Sequence, residues 1–204
     1  MSSDSATTGQ RGRPRDPDFE DRVFDTVVAL YVAHGLDGVT MGAVARGARV
    51  GKASLYMRWE DRDSLIRDAL AARIVLDTGV DTGDFRADLR RLAEQMLDML
   101  WTDTGLAYMR RIIDSSVHPE VFRRGDGSSP IVLDARRLVR NAIERGELPR
   151  GTSPTVLMDM LFGASVMHAS ITPPGLRSVA QERSADYLDA LVDAVIAGAT
   201  AHAR

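Results

Sequence analysis

The chain has 204 residues, 44% hydrophobic and 27% charged, with 26 Lys+Arg against 29 Asp+Glu and a formal charge of −3. That length buries a substantial core, and the composition is that of a globular protein rather than a disordered or fibrous one. The absence of cysteine excludes disulfides, thiolate catalysis and Cys-ligated metal, and the acidic total argues on its face against nucleic acid, whose phosphates call for Lys and Arg.

Residues 1–17 are polar and contain proline, and they read as a flexible N-terminal arm. No apolar run approaches the roughly 20 residues that cross a bilayer, and nothing near Met1 resembles a signal peptide. The expectation is a soluble cytoplasmic protein with no membrane partner. Val23, Phe24, Val27, Val28, Leu30 and Tyr31 recur at helical spacing, and Gly35 supplies a stop. Thr40 suits the N-cap of a short helix carrying Met41, Val44 and Ala45. A second short helix spans Lys52 to Trp59, and Asp61 is placed to cap a helix with Leu65, Ile66, Ala69 and Leu70 on its inner face.

The polar, Gly-containing stretch 77–84 reads as a junction, dividing a domain over 18–72 from one over 73–204. Beyond it Leu89, Leu92, Ala93, Met96, Met99 and Leu100 mark an amphipathic helix, with shorter helices expected at about 105–116 and 131–145. Loops fall at 118–130 and 146–154. A helix over 155–171 is apolar around most of its circumference, which requires burial on more than one side. A last helix over about 179–199 repeats that pattern. No useful alternation of strand type occurs. The fold class is all-α, with about nine helices.

Two short helices joined by a tight turn across 40–59 have the dimensions of a helix-turn-helix. The second helix of that motif enters the major groove, about 12 Å wide, and presents its N-terminal side chains to base edges. Residues 40–59 hold Arg46, Arg49, Lys52 and Arg58 and no acid, a local charge of +4. A solvated basic face would look the same by charge alone.

The wording of the segment narrows that choice. Tyr31-x-x-x-Gly35 ends the first helix, Thr40-Met41 opens the second, and Ala45, Ala48 and Val50 follow. Next come the block Lys52-Ala53-Ser54-Leu55-Tyr56, the aromatic Trp59, and Asp61-Arg62-Asp63-Ser64-Leu65. The run from Phe24 through Leu65 resembles the DNA-binding domain of the TetR family of transcriptional repressors. The resemblance implies an N-terminal helix-turn-helix domain and a C-terminal helical domain for ligand binding and dimerisation.

On that reading Lys52, the only lysine of the chain, places an ammonium against a phosphate. Ala53 and Ser54 are small enough for close approach to bases. Tyr56 contacts phosphate or packs on the first helix, Met57 and Arg58 lie on the next turn with Arg58 the better candidate for guanine or phosphate, and Thr40 can donate to phosphate. Leu55 and Trp59 are assigned to the core. Two departures stand out: Arg49 occupies a turn position usually held by Gly, at a cost on the order of 1 kcal/mol if φ is positive, and Gly51 stands where a Ser cap is usual; either the turn is slightly altered, or Arg49 accepts the strain and gains a phosphate contact. In the arm, Arg11, Arg13 and Arg15 around Gly12 and Pro14 have the pattern of a minor-groove segment, against the alternative of an inert tail.

The resemblance further implies a two-fold dimer, with Val156, Leu161, Leu188, Leu191 and Val195 as interface candidates. A dimer also lets two recognition helices reach successive major grooves about 34 Å apart on a pseudo-palindromic operator. It implies an effector pocket in the C-terminal domain. Met96, Met99, Trp101, Tyr108, Met109, Phe122, Met158, Phe162, Met167 and His168 are its candidates, each equally readable as core. No metal spacing, nucleophile–base pair or phosphate loop is present, so no catalytic residue and no cofactor is assigned. The function expected is a ligand-responsive DNA-binding repressor; the alternative is a helical small-molecule-binding or scaffold protein without operator binding. Charge is distributed accordingly, with +4 over 40–59 against −2 over 73–204.

Overall fold

The computed structural model describes residues 16–122 and 130–201. Among them the chain forms α1 (Phe19–Gly38), α2 (Met41–Ala48), α3 (Lys52–Tyr56), α4 (Arg62–Arg73), α5 (Phe85–Leu100) and α6 (Asp103–Val117). There follow α7 (Pro119–Phe122), α8 (Pro130–Arg145), α9 (Pro154–Ile171), α10 (Arg177–Glu182) and α11 (Ser184–Thr200), with a 3-10 turn at Pro174–Leu176. No strand occurs among the described residues. The all-α reading holds, with two more helices than expected.

Local chemistry sets most boundaries. Thr40, Asp84, Thr102 and Ser153 each accept a backbone N–H at a helix start. Asp61 and Ser64 form a reciprocal capping box on α4, which holds the Asp61 carboxyl below its ordinary pKa. Three expectations shift. Gly35 kinks α1 (φ 69, ψ −164) instead of ending it, and a further turn follows. The helix from Lys52 ends at Tyr56 rather than Trp59. The expected last helix over 179–199 is two pieces parted at Arg183, because no residue of 173–183 is buried as a whole and nothing imposes one continuous register.

The helices enclose two apolar cores. The head core gathers Val23, Val27 and Tyr31 from α1, Val44 from α2, Leu55 from α3, and Leu65 and Ile66 from α4. The body core gathers Leu89, Leu92 and Met96 from α5, Leu157 and Leu161 from α9, and Leu188 and Val192 from α11. Ile74 belongs to the first and Leu76 to the second, so one core passes to the other within two residues. The segment after Leu76 is tied down by hydrogen bonds. Asp81 accepts from Asn141 Nδ2 at 2.8 Å and Arg145 Nη1 at 2.9 Å. Asp88, buried, accepts from the Thr82 N–H and hydroxyl at 2.7 and 3.0 Å.

Helix α6 joins head to body directly. Tyr31 of α1 has no exposed surface, and its hydroxyl donates to Asp114 Oδ2 at 2.7 Å. Burial, and then that carboxylate, push the phenol pKa upward. Arg110 Nη1 donates to the carbonyls of Tyr31 and Val32 at 3.2 and 2.9 Å. The same guanidinium fills the space beside Gly35, where an added Cβ would stand 2.8 Å from Nη2. Arg67 of α4 donates to the Val121 carbonyl at 2.9 Å, adding a second tie.

Replacing Tyr31 with Phe keeps the ring and leaves Asp114 without its donor. The expected cost is about 1–3 kcal/mol, measured by urea or thermal unfolding at fixed protein concentration. Unchanged stability would show that the phenol–carboxylate bond contributes nothing to joining α1 and α6.

Candidate nucleic-acid interface

The helix-turn-helix segment is anchored from beneath. Leu55 is fully buried, and Trp59 is nearly so, edge-on to Phe24 with ring centroids 5.8 Å apart. The Trp59 indole N–H donates to Asp68 Oδ2 at 3.2 Å. With this underside fixed, the other face of α3 turns outward. Lys52, Ala53, Tyr56 and Met57 are exposed and Ser54 is half-buried. Tyr56 retains 51% of its surface and Met57 80%, more than a packing role on α1 would leave them. The Lys52 ammonium stands 5.8 Å from the Tyr56 ring centroid, so two candidate phosphate-contacting groups share one edge.

The turn settles both departures in the sequence. Arg49 is left-handed (φ 56, ψ 46), the single non-glycine residue with positive φ among those described. The turn closes with the Val50 N–H on the Ala45 carbonyl at 3.0 Å, and the Arg49 side chain is exposed. Gly51 caps α3 without a side-chain acceptor. Thr40 is exposed, and its Oγ1 accepts the Ala43 N–H at 3.1 Å, which leaves the hydroxyl proton to donate outward.

Arg58 departs from the expectation of a groove-facing side chain. Its guanidinium carbon lies 4.0 Å from the Phe19 ring centroid and Nη1 is 3.5 Å from Glu20 Oε1, so it is folded against α1. A cation beside an aromatic face and a carboxylate has interactions it must give up to reach DNA. Arg46 adds a further cation to this face. It is exposed on α2, with Nη1 3.6 Å from where a Cβ on Gly42 would stand, and the acid-free charge of 40–59 already included it. Arg11, Arg13 and Arg15 lie outside the described residues.

The body residues fall into separate groups rather than around one cavity. Met96 and Met158 are packed inside the body core. Met99 and Tyr108 touch both cores, and Phe122 packs against the head, 6.5 Å from the Tyr31 ring. Trp101, Met109 and Phe162 are half-buried against the body core. His168 is stacked on Tyr187 at 4.0 Å and lies edge-on to Trp101 at 6.1 Å. Met167 is 58% exposed on the outside of α9, which removes it from any interior lining. An open cleft of about 330 Å³ does occur between head and body, lined by polar residues including His34, Asp37, Arg62 and His118, and by none of these ten.

The interface candidates need a similar correction. Leu161, Leu188 and Val195 are buried within their own chain, because those faces of α9 and α11 pack on α5 and on each other. Leu191 is partly buried and Val156 is exposed. The free face of α9 is instead Val156, Met160, Gly163, Met167 and Ile171, at helical spacing. Beside it α11 exposes Ala190, Ala194, Ala197 and Gly198. Gly198 lets the helices close up, since a Cβ there would meet Met160 Cε at 2.9 Å. α9 is apolar enough along its whole length to suit a membrane span, yet only 28% of its residues are buried in this chain.

Comparison with known proteins agrees with this layout. A family model described as "Bacterial regulatory proteins, tetR family" matches residues 24–69. One described as "Tetracyclin repressor-like, C-terminal domain" matches residues 80–195. The helix-turn-helix-type transcriptional regulator AqdR of Rhodococcus erythropolis is 30% identical over 175 residues, covering 85% of this chain and 84% of that protein. A TetR family transcription regulator from Marinobacter aquaeolei has the same fold, with a TM-score of 0.67 at 15% identity over 90% of this chain and 96% of that one. A second from a Rhodococcus species gives 0.65 at 19% identity over 89% and 100%.

The strained turn yields a test. Arg49→Gly removes the left-handed penalty, less glycine's own entropy loss, for a net gain of a few tenths to about 1 kcal/mol. A midpoint in thermal unfolding that rises shows the strain, and one that stays or falls shows that the Arg49 side chain compensates for it.

Proposed function

The chain belongs to the TetR family of helix-turn-helix transcriptional regulators, and from that premise we propose that it is a homodimeric, cytoplasmic repressor whose grip on a pseudo-palindromic operator is released by a small-molecule effector. The observation that carries the DNA-binding part is the face of α2 and α3. It is acid-free across 40–59, and apart from Met57 its exposed side chains are cationic, small or aromatic. Lys52, Arg46, Arg49 and Thr40 are assigned to phosphates, with Tyr56 beside them. Ala53, Ser54 and Met57 are assigned to base edges, small groups meeting thymine methyls or accepting a single hydrogen bond. Arg58 joins them only by leaving Phe19 and Glu20. The arm residues Arg11, Arg13 and Arg15 are assigned to the neighbouring minor groove.

Two supports favour the dimer. One recognition helix of five residues touches too few bases to specify a site, and a second copy doubles the contacts at a spacing of about one helical turn. The apolar outer face of α9, flanked by the small residues of α11, is a surface that water solvates poorly and a second copy covers. The effector is assigned to the body, because a ligand there bears on α6 and thus on Tyr31 and the kink at Gly35, the contacts that set the angle of the head.

A mobility-shift assay with the DNA upstream of the chain's own coding region tests the first part. Binding is expected at low salt, and Lys52→Ala should weaken it and reduce the slope of log K against log salt by about 0.9. No binding at low salt by folded protein would return the scaffold alternative. For the dimer, Met167→Asp places a carboxylate at the centre of the proposed interface. Sedimentation should then shift from dimer toward monomer, while an unchanged dimer would mean that the chains meet elsewhere.

A further inference from the structure

At one end of the body, three side chains from α9, α10 and α11 and the residue that follows α5 form a cluster at the rim of the body core, against which Trp101 and Tyr187 pack. Trp101 follows α5, His168 comes from the last turns of α9, Arg177 opens α10 and Tyr187 lies in the first turn of α11. The imidazole stacks on Tyr187, with 4.0 Å between centroids and 16° between planes, and meets Trp101 at 79°. The Arg177 guanidinium covers the Trp101 ring at 5.8 Å. Its Nε is buried without a hydrogen-bond partner, and no carboxylate among the described residues pairs with it. A buried guanidinium N–H left unpaired is costly, and an anion is the partner that satisfies it best.

The element that carries Arg177 is loosely held. No residue of 173–182 is buried as a whole, Leu176 and Val179 remain 55% and 48% exposed, and α10 packs chiefly on the adjoining 3-10 turn and α11. Gly175 has nothing within 4 Å of where its Cβ would be. Swinging this segment outward therefore breaks little besides the stack of Arg177 on Trp101.

We propose that this cluster is a subsite for a planar aromatic carboxylate, whose ring replaces the guanidinium on Trp101 while Arg177 turns to pair with the carboxylate. The exchange trades a cation–π contact for ring stacking plus a charge-assisted, two-point hydrogen bond. His168 supplies the polar edge. Burial lowers its pKa, which favours the neutral ring with one donor and one acceptor. As an effector site the cluster rests on the repressor reading above; as a binding site it stands on its own geometry.

The chain has two tryptophans, so a 1H–15N spectrum shows two indole N–H signals, which Trp59→Phe assigns. Titration of full-length protein with 2-naphthoate should shift the Trp101 signal saturably. The uncharged 2-naphthamide should bind at least tenfold more weakly, as should 2-naphthoate to Arg177→Ala, with Arg177→Lys intermediate. Equal binding of acid and amide, or no response at Trp101, would overturn the proposal even if Arg177→Ala failed to fold. Saturating 2-naphthoate should also release the protein from operator, and release without a Trp101 response would place the effector elsewhere. A ligand-free protein that does not bind operator defeats the repressor reading and leaves the Trp101 result to judge the subsite.

Discussion

A phenol cut off from water must find its hydrogen bond inside the protein, and Tyr31 finds it in another part of the fold. Its partner, Asp114, is on α6, one turn from the Arg110 that holds the Tyr31 and Val32 carbonyls just before the kink in α1. These bonds cross from the head to the helix that threads both cores, and they converge on the kink at Gly35. If α6 moves, the end of α1 loses either its hydrogen bonds or its position. Rigid packing turns such a choice into two discrete arrangements rather than a continuous flexing, as the proposed release from operator requires.

The recognition face obeys the same logic at smaller scale. A helix of five residues has little stability of its own, so α3 is held by what lies under it. Leu55 and Trp59 sink into the head, and the Trp59 indole reaches Asp68 on α4. Pinning one side fixes which side chains are outside, and small ones there let the backbone come near another molecule. Charge is handled by exclusion as much as by addition. The absence of acid from 40–59 counts as much as its four cations, because a neighbouring carboxylate captures a cation, as Glu20 does with Arg58.

Sequence pattern made most of the helices, the caps at Thr40 and Asp61 and the family legible, since these depend on spacing and on single side chains. The positive φ at Arg49 and the capping role of Asp61 could be read in the same way. Facing was not legible where a helix is apolar all round: in α9 and α11 the pattern marks Leu161, Leu188 and Val195 as apolar but not which neighbour covers them. The folding back of Arg58 was also hidden, because it depends on Phe19 and Glu20 at the far end of α1. Tyr31 and Asp114 are 83 residues apart, and no local pattern announces a bond of that span. The arginine on Trp101 escaped notice for the same reason, with the added obscurity of a segment whose helix ends at Arg183 for want of burial.

One chemical fact about α3 has a practical side. Apart from four imidazoles, every other basic side chain in the chain is a guanidinium, and Lys52 is the sole side-chain amine among 204 residues. It is exposed, and its neighbours Gly51 and Ala53 give a reagent room. Amine-directed chemistry, whether an acylating group, a cross-linker or a fluorescent ester, thus meets a single side-chain address on this molecule, and that address is on the recognition face. A protein that carries its sole side-chain amine there can be tagged on that face at one lysine, and any coupling method that consumes lysine modifies that face first.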